Sequence, residues 1–255
     1  MRTINIINLK GGVGKSITSI NMAYSFAAYR NKKVLLIDND KQGNISKFMR
    51  RQDYAKKSLS DILSETANIH EVIRDTAYSG IDIIPANMTL LKANRDLMLE
   101  TTKPQQTRIS NALGAVTADY DYCIIDNAPD INISVINALA AGDDVIIPVT
   151  IDEFAFEGIA EIMEQIRDVR KYYNPQLNFA GCLITSYRND EVVNDGIEAL
   201  RLKYGKVFDT KIKWTAKVSE STFARMPVKK YSPRCSAART YIELVDEYER
   251  GLTNG

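Results

Sequence analysis

Histidine is almost absent from this chain: among 255 residues there is one, His70. Cysteine is scarce as well, with Cys123, Cys182 and Cys235 far apart in the chain. A histidine-based triad could use only His70, which lies in a polar stretch, so that chemistry is set aside. No Cys/His cluster has metal-ligand spacing, and an odd number of scattered cysteines is not a disulfide framework. Long apolar runs are missing too; no segment approaches the roughly 20 residues that span a bilayer. The opening residues, MRTINIINLKGG, lack the charged head, apolar core and cleavage site of a signal peptide. A cytoplasmic protein with reduced thiols is the expectation. Repeats, low-complexity segments and linkers rich in Gly, Pro or Ser are also lacking, so residues 1–255 read as a single domain. Charge of one sign is not in excess: 33 basic and 32 acidic residues leave a net +1. Taken alone, that balance argues against nucleic acid, but an average hides a lopsided surface.

What is present is ordinary globular composition, 45% hydrophobic and 25% charged, on a chain long enough to bury a core. Short β-branched apolar runs alternate with amphipathic stretches. Residues 3–8, 33–38, 81–85, 122–126, 145–149 and 179–185 read as strands, several apolar at successive positions, as in a sheet covered on both faces. Residues 16–30 and 154–173 read as helices; in the second, Phe154, Ile159, Ile162, Met163, Ile166 and Val169 recur at helical spacing. The polar stretch from Arg50 to Arg74 reads as surface helices and loops. Strand–helix alternation predicts an α/β fold with a doubly wound, mostly parallel sheet.

The strongest local signal is Leu9-Lys10-Gly11-Gly12-Val13-Gly14-Lys15-Ser16, between the first strand and the first helix. That is the context of a phosphate-binding loop. Glycines let backbone N–H groups turn toward phosphate oxygens, and the helix N-terminus adds a positive dipole end. Lys15 would reach the β/γ-phosphates, and the Ser16 hydroxyl would ligate Mg²⁺. The usual G-x-x-x-x-G-K-[ST] pattern fails at Leu9; the loop reads K-G-G-x-G-K-[ST], with Lys10 at its head. Asp38 and Asp40 follow the second strand, and Asp126 closes another. Parallel strands share one ligand edge at their C-termini, so these carboxylates would face the phosphates, some around Mg²⁺ and one orienting water.

Those residues resemble the ParA/MinD family of ATPases. Lys10 to Ser16 looks like its deviant Walker A motif. DNDKQGN at 38–44 is similar to D-x-D-P-Q-G-N, with Lys41 where proline is usual. DNAPD at 126–130 is similar to D-x-P-P-S, with Ala128 and Asp130 as departures. PVTIDEFAFEG at 148–158 looks like a further family segment. Residues 212–244 follow the ending I-P-R-N-V-R-x-x-E-A-P-S-x-G-K-P-V-x-x-Y-D-P-x-S-x-G-A-x-x-Y, so the likeness covers nearly the whole chain. The resemblance implies a homodimer sandwiching two ATP molecules. Lys10 would reach the partner's phosphates, and a cation supplied that way couples ATP to dimer closure. It implies Asp40 as the hydrolytic aspartate, with Lys10 and Lys15 completing the catalytic set. Asp38 and Asp126 would lie around Mg²⁺, and residues 10–17, through Ile17, around the nucleotide. Thr185–Ser186 and residues 213–215 would lie near the base, although Lys213 replaces proline and Thr215 replaces asparagine there. The departures at Lys41 and Ala128 bear on loop rigidity and leave every charged role filled.

Within that family, the stretch YIELVDEYERGLTNG is too acidic for a membrane-binding amphipathic helix, and no membrane partner is expected. Cys123 and Cys182 lie inside strands, as buried hydrophobes do, and not as cluster ligands. Charge is unevenly spread. Residues 201–240 hold eleven basic side chains against two acidic ones, net +9, and the rest of the chain has 22 basic and 30 acidic. Arg201, Lys203, Arg225, Lys229, Lys230 and Arg234 are the candidate contacts to DNA phosphates. No helix-turn-helix pattern precedes the first strand, so non-specific DNA binding is expected. The reading is a short, ParA-like partition ATPase, cytoplasmic and nucleoid-associated, whose slow hydrolysis a ParB-like centromere-binding protein stimulates. The alternatives are a MinD-like or cargo-positioning ATPase acting on a protein scaffold, and a metabolic ATP-dependent ligase.

Overall fold

Each apolar run identified above becomes a strand, within a residue or two at its ends. The computed structural model describes residues 1–152 and 155–253. Its strands are β1 (Arg2–Ile6), β2 (Val34–Asn39), β3 (Arg74–Asp75), β4 (Ile81–Ile84), β5 (Tyr122–Asn127), β6 (Asp144–Val149) and β7 (Asn178–Ile184). They form one sheet in the order β3-β4-β2-β5-β1-β6-β7, parallel throughout except for the β3–β4 edge. The two-residue β3 begins at the last residue of the stretch read as helices and loops, and is too short to carry a period-2 signal. Pro148 sits within β6, past Ile146, where the β1 ladder ends; there a missing N–H costs no pairing with β1.

The helices are α1 (Lys15–Arg30), α2 (Asn44–Phe48), α3 (Leu59–Leu63), α4 (Ile69–Val72), α5 (Thr89–Leu99) and α6 (Arg108–Gly114), followed by α7 (Ile133–Ala140), α8 (Ala155–Tyr172), α9 (Glu191–Tyr204), α10 (Ala216–Ala224), α11 (Val228–Tyr231) and α12 (Ser236–Thr253). Phe154, placed by sequence at the start of the long helix, lies outside the described residues.

Alternate residues of each strand feed different cores. Ile4, Ile6, Leu36, Ile124 and Ile146 pack with α1 and α12. On the opposite face, Leu35, Ile37, Cys123 and Ile125 pack under α3–α6, and Val145, Ile147 and Cys182 under α7–α9. Both faces are covered, which is why the strands read as continuous apolar runs. The stretch 50–74 is less superficial than its polarity suggests: Leu59, Ile62, Leu63, Ile69 and Val72 are buried. Ser58 with Asp61 and Asn68 with Glu71 form capping boxes that start α3 and α4. The apolar stripe of α12, including Tyr241, Leu244 and Tyr248, is buried in the core beside α1. Among the described residues no helix is long and apolar enough to cross a membrane. Burial pushes the Cys123 and Cys182 thiols up, as expected of small core residues.

Candidate functional site

The sheet's C-terminal edge gathers the predicted residues. β1 runs into the glycine loop, and Gly12 (φ 78°) and Gly14 (φ 88°) are both left-handed, a backbone only glycine adopts without strain. Gly14 caps α1, so the helix N-terminus opens directly on the loop. Lys15 is buried, and its ammonium donates to the Lys10 carbonyl at 2.9 Å, closing the loop on itself. Burial pushes that ammonium down from its ordinary value, against the pull of Asp126, Asp40 and Asp130. The hydroxyl of Thr185, just past β7, donates to Val13 O at 2.9 Å and fixes the far wall.

Two carboxylates stand side by side behind the loop. β2 and β5 pair so that Asp38 lies level with Asp126. Ser16 and Ser19, one turn apart on α1, donate to Asp126 at 2.6 and 3.1 Å. Ser46 donates to Asp38 from its backbone N–H (2.8 Å) and its hydroxyl (2.7 Å). Burial, reinforced by Asp38, pushes Asp126 up to about 7, and burial pushes Asp38 up to about 6. Asp40 is nearly buried; its Oδ1 accepts from Gln42 N at 2.8 Å. Gly43 explains the glycine of the second motif: its φ is 63°, and a Cβ there would lie 2.7 Å from the Ala86 carbonyl oxygen.

Two neighbouring buried carboxylates with raised values are a donor set short of positive charge, which a divalent cation would supply. Among the described residues no group of three His, Cys, Asp or Glu side chains is placed to hold a metal by itself. The residues therefore fit a Mg²⁺ carried in with phosphate oxygens, met by the Ser16 hydroxyl and flanked by Asp38 and Asp126.

Because these values are raised, the folded state holds protons that the unfolded state releases. The stability this supplies is full below pH ~4 and is lost as pH rises through about 6 and about 7. Asp126→Asn removes the larger part of that loss. Its Tm is expected to gain on the parent by ~3 °C or more between pH 5 and pH 8, without nucleotide or Mg²⁺. A Tm difference independent of pH would contradict the buried-pair description.

Sequence reasoning missed what lies beneath. Asn39 donates to Asn127 Oδ1 (2.9 Å), Asn127 donates to Asn5 Oδ1 (3.1 Å), and Asn5 donates to Ala138 O (2.9 Å). This buried amide chain crosses β2, β5 and β1 at the level of the acidic residues and holds their ends in register. Its signal was present, since asparagine is rare inside apolar strands.

Lys10 is the head of the loop, and its ammonium pairs with Asp152 of the same chain. Lys213 is exposed and bridged to Tyr187, while the Thr215 hydroxyl accepts from Lys217 N at 3.3 Å and starts α10. Tyr187 N donates to Ile212 O and Trp214 N to Tyr187 O, so residues 212–214 run beside the segment after β7.

The six basic candidates do not form one surface. α9, bearing Arg201 and Lys203, packs on one face of the sheet, and α11 packs on the other. Arg201 is paired with Asp209 (2.7 Å), and Lys203 lies over the Tyr204 and Phe156 rings. The other four gather around α11. Lys229 lies over Tyr29 and Lys230 over Tyr78; Tyr24 joins the two rings edge-on. Tyr78 also donates to the carbonyl of Arg225, and Arg234 is exposed just beyond α11. Buried Asn21 of α1 accepts from Val228 N at 2.8 Å, tying α11 to the helix that begins at the phosphate loop.

A left-handed glycine loop feeding a helix, two strand-end carboxylates and a buried lysine define a P-loop nucleotide-binding protein. The comparisons narrow the class. A family model described as an AAA domain matches residues 1–179. The chain is 36% identical over 252 residues to the sporulation initiation inhibitor protein Soj of Bacillus subtilis, covering 96% of this chain and 97% of that protein. It is 34% identical over 252 residues to the chromosome partitioning protein ParA of Caulobacter vibrioides, covering 97% and 93%. Among solved structures, cobyrinic acid a,c-diamide synthase from Mycobacterium smegmatis, with a bound ATP analogue and magnesium, superposes with a TM-score of 0.86 at 25% identity, covering 99% and 96%. The chain belongs to the ParA/Soj family of P-loop partition ATPases.

Proposed function

We propose that this chain, one P-loop domain over residues 1–255, is a partition ATPase that binds Mg²⁺–ATP at the sheet edge, dimerises on it and then holds DNA non-specifically. The observation that carries the reading is the buried Lys15 beside the level pair Asp38 and Asp126, in a loop headed by a second lysine. Gly11, Gly12, Val13 and Gly14 present backbone N–H groups to the phosphates, and Lys15 offsets their charge. Bound Mg²⁺ would neutralise the β- and γ-oxygens, held by Ser16 and flanked by Asp38 and Asp126. Asp40 orients the attacking water. Ile17, Lys213 and Thr215 border the nucleotide, the last two toward the base. Lys10 must leave Asp152 to reach a partner's phosphates, so dimer closure exchanges one acidic neighbour for another. Hydrolysis is slow without a partner, because positioning alone carries it, and a ParB-like protein accelerates it. The protein acts in the cytoplasm, on the nucleoid.

DNA contact falls to Arg225, Lys229, Lys230 and Arg234. Tyrosine rings under the two lysines restrict their rotamers, so less entropy is lost on meeting phosphate. Neutralising Lys229, Lys230 and Arg234 together is expected to weaken binding equally on unrelated DNA sequences. The log–log salt slope should flatten by about 2 to 3, at ~0.9 per lost phosphate contact. An unchanged slope, measured with ATP present, would move the DNA site away from α11; a change produced only by neutralising Arg201 and Lys203 would move it to α9.

A further inference from the structure

Two positions close in sequence to the acidic residues depart from the family pattern together: Lys41 stands in place of proline and Asp130 in place of serine. The side chains meet, with Lys41 Nζ 3.6 Å from Asp130 Oδ2, beside a cavity that Leu90, Leu91 and Met98 of α5 also line. Lys41 follows Asp40 in the turn between β2 and α2. Asp130 lies four residues after Asp126, in the segment between β5 and α7. The pair therefore joins the turn that follows Asp40 to the segment that follows β5 and its Asp126.

Asp130 is held in place. Asn132, which caps α7, donates to Asp130 Oδ1 at 2.7 Å, leaving Oδ2 to Lys41. Its charge is felt inside the site, since it acts on the Lys15 ammonium alongside Asp126 and Asp40. A fixed carboxylate whose charge reaches Lys15 opposes a polyphosphate, which carries the same sign. It competes for Lys15, the cation on which phosphate binding depends. Serine at this position would carry no such charge and need no counter-ion; aspartate does. Both side chains are only about half exposed, so water does not screen the interaction fully.

We propose that Lys41 is a positioning residue for the nucleotide site: it neutralises Asp130, so that the site admits a nucleoside triphosphate, and it ties the turn after Asp40 to the segment after β5. This rests on the nucleotide-site reading above. Lys41 acts through Asp130, not on the phosphates. The two departures compensate each other, and one without the other is a defect.

The test is equilibrium binding of a fluorescent, non-hydrolysable ATP analogue with Mg²⁺ to the full chain, at low and high salt. Lys41→Gln should weaken binding on the order of 10-fold, less so at high salt. Asp130→Asn alone should bind as well as the parent or better. Lys41→Gln with Asp130→Asn should return to within about 2-fold of the parent, a rescue that a merely structural lysine would not show. Lys41→Pro with Asp130→Ser, the family-like pair, should bind likewise and covers the case in which a glutamine variant folds poorly. A double variant as weak as Lys41→Gln would overturn the proposal, as would a Lys41→Gln variant with unchanged affinity. Failure of the nucleotide reading itself is distinguishable: the parent would then not bind, or Lys15→Ala would bind like it.

Discussion

Lys15→Ala is expected to lose nucleotide binding, with affinity for Mg²⁺–ATP down by about 100-fold or more. Lys15 is 8% exposed, and its ammonium feels the charges of Asp126, Asp40 and Asp130 while closing the loop onto Lys10 O. Removing it leaves those carboxylates facing incoming phosphates with no cation inside the loop. It also releases the hydrogen bond that shapes the loop. The effect should lie in binding and not in folding, since the chain carries its cores on both faces of the sheet, away from this edge. Isothermal calorimetry on a variant shown to be folded checks it; retained tight binding would contradict the assignment of the phosphate site.

Asp40→Ala is expected to bind ATP nearly normally and to hydrolyse it about 100- to 1,000-fold more slowly. Asp40 opens the turn after β2, where Gln42 N donates to its carboxylate and Gly43 N to its carbonyl. Its side chain is thus fixed by local backbone outside the glycine loop, so its removal should spare the phosphate cradle. With turnover blocked, the ATP-bound dimer should persist on DNA, and ADP should not reproduce that state. A variant that remains monomeric with ATP would contradict the role given to Asp40.

Much of this was legible in the sequence. The phosphate loop, the strand-end aspartates and the helix behind the loop are contiguous motifs, and continuous apolar runs mark a sheet covered on both sides. Other features depend on residues far apart in the chain. Lys41 meeting Asp130, and Asn21 capping α11, are pairings that spacing along the chain does not encode. The stretch 50–74 does form helices and loops, but they lie deeper than its polarity suggests: helices of four or five residues are too short to show a 3.6-residue stripe, yet they bury Leu59, Leu63 and Val72. The basic segment 201–240 is divided in space. Eleven basic residues in one segment look like one surface, but α9 and α11 pack on opposite faces of the sheet and divide it.

The central claim is that ATP switches this chain into a DNA-holding dimer. Co-sedimentation with DNA of mixed sequence, in parallel with ATP, with ADP and with no nucleotide, tests it most directly. DNA-bound protein is expected with ATP and Mg²⁺, little with ADP or without nucleotide, and none with Lys15→Ala. DNA binding that is the same in all three conditions would contradict it, and so would an ATP-dependent dimer that leaves DNA in solution.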